Sequence, residues 1–369
     1  MVVQSFRPVL GGAQRQIERL APALAARGAD VHVVTRRPPG TPTRELAPGL
    51  TIHRTRGPAR GPAGSAAYTA LGTLTTAALR PDVIHVHDVL SPGTIGLLAS
   101  LPRHTPVVAK ILSTGHGGDL QRLSGKPFGA RRLAWMSRRF AAFVCLSAEI
   151  EDELLDAGVP RDKLRRIPNA VDGEAFRPAT ADERARARAG LAIADGEVLA
   201  LFCGRLYESK RLDVLLRAAR AAPVRVLVAG EGPDARRLHA LAEELALRDK
   251  VRFVPPVADV RPLHRAADLY VSASEAEGMS GSVLEAMASG LAVVAAPASG
   301  MRELLDGGAG VVLRSREPDE MAAALTRLAS DAGERARLGA AARDRVASAL
   351  TIDIAAGRLM ELYAEVTRS

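Results

Sequence analysis

The 369-residue chain holds only two cysteines, Cys145 and Cys203, and aromatic residues make up just 3% of it. Two distant cysteines, each inside an apolar run, do not form a disulfide framework and read as inert core residues of a reducing compartment. Few aromatics argue against a nucleic-acid reader, in which bases stack on rings interleaved with cations. No apolar run approaches the ~20 residues that span a bilayer, and no charged segment followed by an apolar one opens the chain. The expectation is a cytoplasmic protein. A full first strand is also missing: of the buried strand expected before Gly11-Gly12 only Val2 and Val3 remain, which suggests a short or misassigned N-terminus.

A chain of this length, 47% apolar, exceeds what one compact core usually supports and reads as two α/β domains. Residues 1 to 168 carry 23 Lys+Arg against 12 Asp+Glu, a net of +11, and residues 169 to 369 carry 27 against 29, a net of −2. Basicity therefore belongs to the first half, where an anionic acceptor, a membrane surface or a solvated arginine-rich face would each account for it. Arg131, Arg132, Trp135, Arg138, Arg139 and Phe140, at near-helical spacing, are candidates for contact with an anionic membrane.

Short buried runs alternate with helical segments in both halves, the pattern of doubly wound parallel sheets. In the first half the strand candidates are 31–35, 83–87, 106–112 and 142–147. A Pro-, Gly- and Arg-rich excursion loop, with a brief strand at 50–53, fills 36–66. In the second half they are 198–203, 224–229, 251–254, 269–272, 292–296 and 310–313. The hinge falls at Ile167-Pro168-Asn169-Ala170-Val171-Asp172, where strand character gives way to turn chemistry. Such sheets bind ligands at the carboxyl ends of their strands.

Glu277 and Glu285 are eight residues apart, about 12 Å along a continuous helix and off a common face. They serve one ligand only if Glu277 lies in a loop and Glu285 within the helix that follows. Ser280, Gly281 and Ser282 would then open that helix, and its free N–H groups and dipole suit a phosphate. A capped helix with two solvated glutamates is the plainer alternative. Gly204-Arg205-Leu206 and Lys210 follow a strand, where each cation would gain about 4 kcal/mol per phosphate charge at ~4 Å before desolvation. Gly230-Glu231-Gly232 after the next strand is either a tight structural turn or a backbone approach to a ligand. In the first half, Gly11-Gly12 opens a helix, His87 ends a strand, and Lys110 and His116 lie on and after another. Each has an equally plain structural reading.

Taken in this order, these motifs resemble the glycosyltransferase group 1 family, across nearly the whole chain. The resemblance implies the GT-B fold, two Rossmann-like doubly wound domains facing a central cleft. It also implies a retaining, metal-independent transfer from a nucleoside-diphosphate sugar, with no cofactor, to a glycan, lipid-linked or small-molecule acceptor. Residues 1–168 would bind acceptor, 169–351 donor, and 352–369 would form a terminal amphipathic helix packing back toward the first domain. Arg205 and Lys210 would hold the diphosphate, Glu285 the ribose and Glu277 the transferred sugar. The amides of Ser280, Gly281 and Ser282 would hold the distal phosphate, with Gly11, Gly12, Gly204 and Gly230 beside the donor. His87, Lys110 and His116 are acceptor-side candidates, because Lys110-Ile111-Leu112 stands where many relatives carry a histidine. Arg211 stands where glycine often follows the lysine. A peripheral position at the inner membrane face, a nucleotide-sugar epimerase and a non-catalytic sugar-nucleotide binder are the remaining expectations.

Overall fold

A computed structural model describes residues 1–8, 11–57, 61–115, 117–275 and 277–368. The chain divides into two compact units, residues 1–169 with 352–369, and residues 170–351.

The first unit contains β1 (His32–Arg36), β2 (Arg44–Ala47), β3 (Leu50–Thr55), β4 (Ile84–His87), β5 (Val107–Lys110), β6 (Ala142–Cys145) and β7 (Leu164–Arg166). β4 to β7 lie side by side in parallel, and β1 pairs with β3 in parallel. Val2 bridges the two sets, pairing with both Val34 and Val86. Two residues suffice for this because each side contributes backbone bonds: Val3 N–H to the Val34 carbonyl at 3.1 Å and His87 N–H to the Val2 carbonyl at 2.9 Å. The segment 36–66, expected to be an excursion loop, instead holds the antiparallel β2–β3 hairpin and the start of the helix Gly61–Ala78. Neither β2 nor β3 contains Pro or Gly, and Pro48 and Gly49 form the turn between them, so the composition of the segment masked strands that border the sheet.

The helix Ile352–Arg368 belongs to this unit. Arg165 and Arg27 pair with its Glu365 and Asp353, and the Tyr363 hydroxyl lies 2.6 Å from His85 Nδ1.

The second unit contains β8 (Leu199–Cys203), β9 (Arg225–Ala229), β10 (Val251–Val254), β11 (Leu269–Ser272), β12 (Ala292–Ala295) and β13 (Val311–Val312), all parallel, in the order β10-β9-β8-β11-β12-β13. Its core is aliphatic, from Leu199 and Val226 to Val294 and Leu325. The order reverses direction between β8 and β11, so the loops leaving these strands diverge and open a crevice at their carboxyl ends.

Glycine decides how the loops after β8 and β9 fit together. A Cβ on Gly230, at φ +149°, would lie 1.9 Å from the Gly204 carbonyl oxygen, and one on Gly232 would lie 2.3 Å from the Leu206 carbonyl oxygen. At Gly281 a Cβ would meet nothing within 4 Å. Gly230→Ala and Gly232→Ala are each expected to cost about 2–3 kcal/mol through overpacking. Gly281→Ala should stay within about 0.5 kcal/mol of wild type. Equilibrium denaturant unfolding of the three variants checks this, and equal costs at all three would overturn it.

Candidate functional site

Two loops of the second unit, leaving β8 and β11 on either side of the reversal, are tied to one another. The β8 loop turns through a short 3-10 segment, Glu208–Lys210, and Arg211 follows at φ +48°. The left-handed region favours glycine, so an arginine here needs partners to hold it. Arg211 is held there by Asp213 at 3.1 Å and Glu275 at 2.6 Å. The Glu275 amide donates to the Ser209 carbonyl at 2.9 Å. Beside these bonds the Lys210 ammonium donates to the Glu277 carboxylate, both side chains largely buried. Arg205 stacks over the Tyr207 ring at 4.8 Å and has no carboxylate partner among the described residues.

The helix Gly281–Ala288 starts from Ser280 with no side-chain cap and no acidic residue in its first turn. Its opening amides and dipole therefore remain available to an anion. The Ser280 and Ser282 hydroxyls are 3.2 Å apart. Glu277 lies ahead of this helix and Glu285 lies within it, 2% exposed, so the alternative of two solvated glutamates does not describe these side chains. Tyr270, fully buried on β11, donates to the Cys203 carbonyl at 3.2 Å and braces β8 against β11. Gly204 and Gly230 are accounted for by the loop–loop contact: the Gly204 amide donates to Ala229 at 3.0 Å and the Leu206 amide to Glu231 at 2.9 Å.

In the first unit, Gly11 and Gly12 open the helix Gly12–Ala25, whose first turn has neither a side-chain cap nor an acid. His87 and Lys110 face each other across β4 and β5. Both His87 ring nitrogens are buried without a partner. Burial, then the charges of His85 and Lys110, hold its pKa well below the ordinary value, and burial brings Lys110 down to about 8. His116 lies outside the described residues. In the proposed membrane-facing group, Phe140 is fully buried, because β6 begins two residues later. Arg132 turns inward, donating to the Leu90 carbonyl at 2.9 Å.

The sequence reading passed over Asp88. It follows directly on β4 at φ +86°, is 7% exposed, and accepts the Leu90 amide at 2.8 Å. Burial, reinforced by the charge of Asp119, raises its pKa to about 7 against the opposing Leu90 hydrogen bond, Arg122 and Arg132. The signal was an acid directly beyond the carboxyl end of a buried strand, overshadowed by the two histidines before it.

The chain matches the family model described as glycosyl transferases group 1 over residues 183–345, and that of glycosyltransferase family 4 over residues 10–175. The D-inositol 3-phosphate glycosyltransferase of Xylanimonas cellulosilytica is 33% identical to it, over 97% of this chain and 92% of that protein. Its counterpart from Streptomyces bingchenggensis is 32% identical over 97% and 85%. Among solved structures, sucrose-phosphate synthase from Thermosynechococcus elongatus superposes with a TM-score of 0.82 at 23% identity, covering 97% of this chain and 94% of that one. HepE from Anabaena in complex with UDP-glucose gives 0.81 at 20% identity, covering 99% and 98%. The fold is therefore GT-B.

Asp88 yields a pH test. The folded chain keeps its proton up to about pH 7, whereas the unfolded chain releases it near the ordinary carboxylate value, so this group's contribution to stability falls as pH rises between about 4 and 7. Asp88→Asn retains the acceptor for the Leu90 amide and removes the titration. Its unfolding free energy should match wild type near pH 4 and exceed it by up to about 4 kcal/mol near pH 8. A difference independent of pH would overturn this.

Proposed function

From the premise that the chain belongs to the glycosyl transferases group 1 family, we propose that this glycosyltransferase moves a sugar from a nucleoside-diphosphate donor, held by the second unit, to an acceptor hydroxyl. The observation that carries this reading is the Lys210–Glu277 pair at the reversal of strand order, three residues ahead of the uncapped helix start. Lys210 and Arg205 receive the diphosphate together with the amides of Ser280, Gly281 and Ser282. Glu285 accepts from the ribose hydroxyls, and Glu277 accepts from the hydroxyls of the transferred sugar.

In the reaction the bond from the anomeric carbon to the phosphate oxygen breaks, and the departing diphosphate keeps the electron pair. The acceptor oxygen bonds to the same face of that carbon, and its proton passes to the departing phosphate oxygen, so configuration is retained. The two cations and the helix dipole stabilise the negative charge that grows on the leaving group. This assigns charge stabilisation to the chain's own groups and needs no divalent metal. Family membership favours transfer over the epimerase and non-catalytic readings. The acceptor side is assigned to the first unit, at the carboxyl ends of β4 and β5, near His87, Asp88 and Lys110. UDP-sugars are the first donors to test, since HepE was solved with UDP-glucose. Inositol phosphates are the first acceptors, from the names of the relatives.

No helix among the described residues is long and apolar enough to cross a membrane. Peripheral contact remains part of the proposal on different grounds. Between Asp119 and Glu149 the sequence has six cations and no acid. Around the helix Gly129–Arg139, Phe128 is 71% exposed and Trp135 43%, beside exposed Arg131, Arg138 and Arg139. Exposed rings among unopposed cations suit an anionic lipid surface.

A thermal-shift screen of UDP-, GDP- and ADP-sugars should single out one base by raising the melting temperature. With that donor, Lys210→Ala and Glu277→Gln should each lower transfer at least about 100-fold, the scale for loss of one transition-state contact. NMR should find the donor's anomeric configuration in the product, and EDTA should leave the rate unchanged. Wild-type turnover in either variant sinks the reading. In flotation at low salt, liposomes with anionic lipid should bring up more protein than neutral ones. Phe128→Ala/Trp135→Ala should abolish the excess, and equal flotation on both liposomes removes the membrane contact.

A further inference from the structure

Behind the Lys210–Glu277 pair, the second unit has a half-open cleft of about 490 Å³. Arg205, Lys210, Glu277 and Ser280 to Ser282 do not line it. Its walls come from the first turns of the helix Leu212–Ala221, the loop after β12 and the loop between β13 and the helix Pro318–Ser330. Four arginines face this space: Arg211, Arg217, Arg314 and Arg316.

A charge count decides what the cleft accepts. Of the three lining carboxylates, Asp213 and Glu275 are taken by Arg211, at 3.1 and 2.6 Å. Arg237 also approaches Asp213 at 3.8 Å, although its guanidinium is held by Asp234 at 2.6 and 2.8 Å. Glu320, close behind the wall, spends its oxygens on the Arg314 and Ser315 amides at 2.8 and 2.9 Å and on the Ser315 hydroxyl. Arg316 donates to the carbonyls of Glu275 and Pro297, and its Nε is buried without a partner. Arg217 and Arg314 have no carboxylate within ion-pair distance among the described residues. The cleft is therefore lined by four arginines against three carboxylates, and its unpaired cations, Arg217 and Arg314, stand beside Arg316 and the exposed Glu317. Its volume lies in the range of small-molecule sites, and guanidinium forks match phosphate oxygens.

We infer that this cleft is a second anion site, for a small phosphorylated molecule held by Arg217, Arg314 and Arg316, distinct from the donor site and coupled to it. The coupling has a physical route. Arg211 and Glu275 line the cleft, yet they are chain neighbours of Lys210 and near neighbours of Glu277, and the Glu275 amide is bonded to Ser209. An anion that draws Arg211 from Glu275 loosens the loop that carries Glu277, so donor-side affinity falls when the cleft is filled.

The test uses the full chain with inorganic pyrophosphate as probe and UDP at saturation to occupy the donor loops. Pyrophosphate should add to the melting temperature reached with UDP alone. The addition should vanish in Arg217→Ala/Arg314→Ala and persist in Arg220→Ala/Arg248→Ala, which removes two exposed cations outside the cleft. By calorimetry, pyrophosphate should weaken UDP binding about fivefold more in wild type than in Arg217→Ala/Arg314→Ala, at the low end of measured couplings; the part common to both is competition at the donor loops. Arg211→Gly should keep the thermal response and lose the extra weakening. No added shift in wild type, or an equal shift in both double variants, overturns the site. Failure of UDP, GDP and ADP alike to bind overturns the donor assignment instead, and the pyrophosphate shift measured without nucleotide then still decides the cleft.

Discussion

A lysine ammonium and a glutamate carboxylate, drawn from loops on either side of a reversal in strand order, hold the candidate site of the second unit in place. Lys210 and Glu277 lie 67 positions apart in the chain. Parallel strands all present their carboxyl ends on one edge, and β8 and β11 are adjacent there although β9 and β10 intervene in sequence. Removing one partner would leave a largely desolvated charge unopposed, which costs more than the pair contributes. The pair is therefore better understood as fixing position than as adding stability.

Around that contact, backbone does much of the work. Gly230 and Gly232 lie against the carbonyls of Gly204 and Leu206, and amides of one loop bond carbonyls of the other. The chain thereby delivers Arg205 to the sheet edge on a braced loop. Arg211 shows the opposite bargain, a branched cation in a left-handed conformation, kept there by Asp213 and Glu275. Glycine would relieve the strain, but it would also remove the link between the loops and the cleft behind them.

The first unit concentrates polar groups in its interior. His85, His87 and Lys110 are buried on paired strands, and Asp88 directly follows one of them. Burial disfavours the charged form of each: the bases drop in pKa and the acid rises, as desolvation requires. Asp88, raised to about 7, and Lys110, lowered to about 8, are thereby well suited to meeting a hydroxyl or its proton.

Most of the architecture was legible in the sequence, because apolar runs and helical periodicity are local properties. The parallel strands of both units, the loop position of Glu277 and the helical position of Glu285 follow from spacing and turn residues. A brief strand at 50–53 was legible, but β2 and its pairing with β3 were not, since the surrounding arginines and prolines resemble loop composition and the pairing depends on a neighbour that the local pattern does not reveal. Nor were the inward turn of Arg132, the burial of Phe140 or the importance of Asp88. Residue types and their order determined the family and the list of chemical groups. Only the tertiary structure decided which cations meet which carboxylates and which groups lose water, because both depend on distances between segments far apart in the chain.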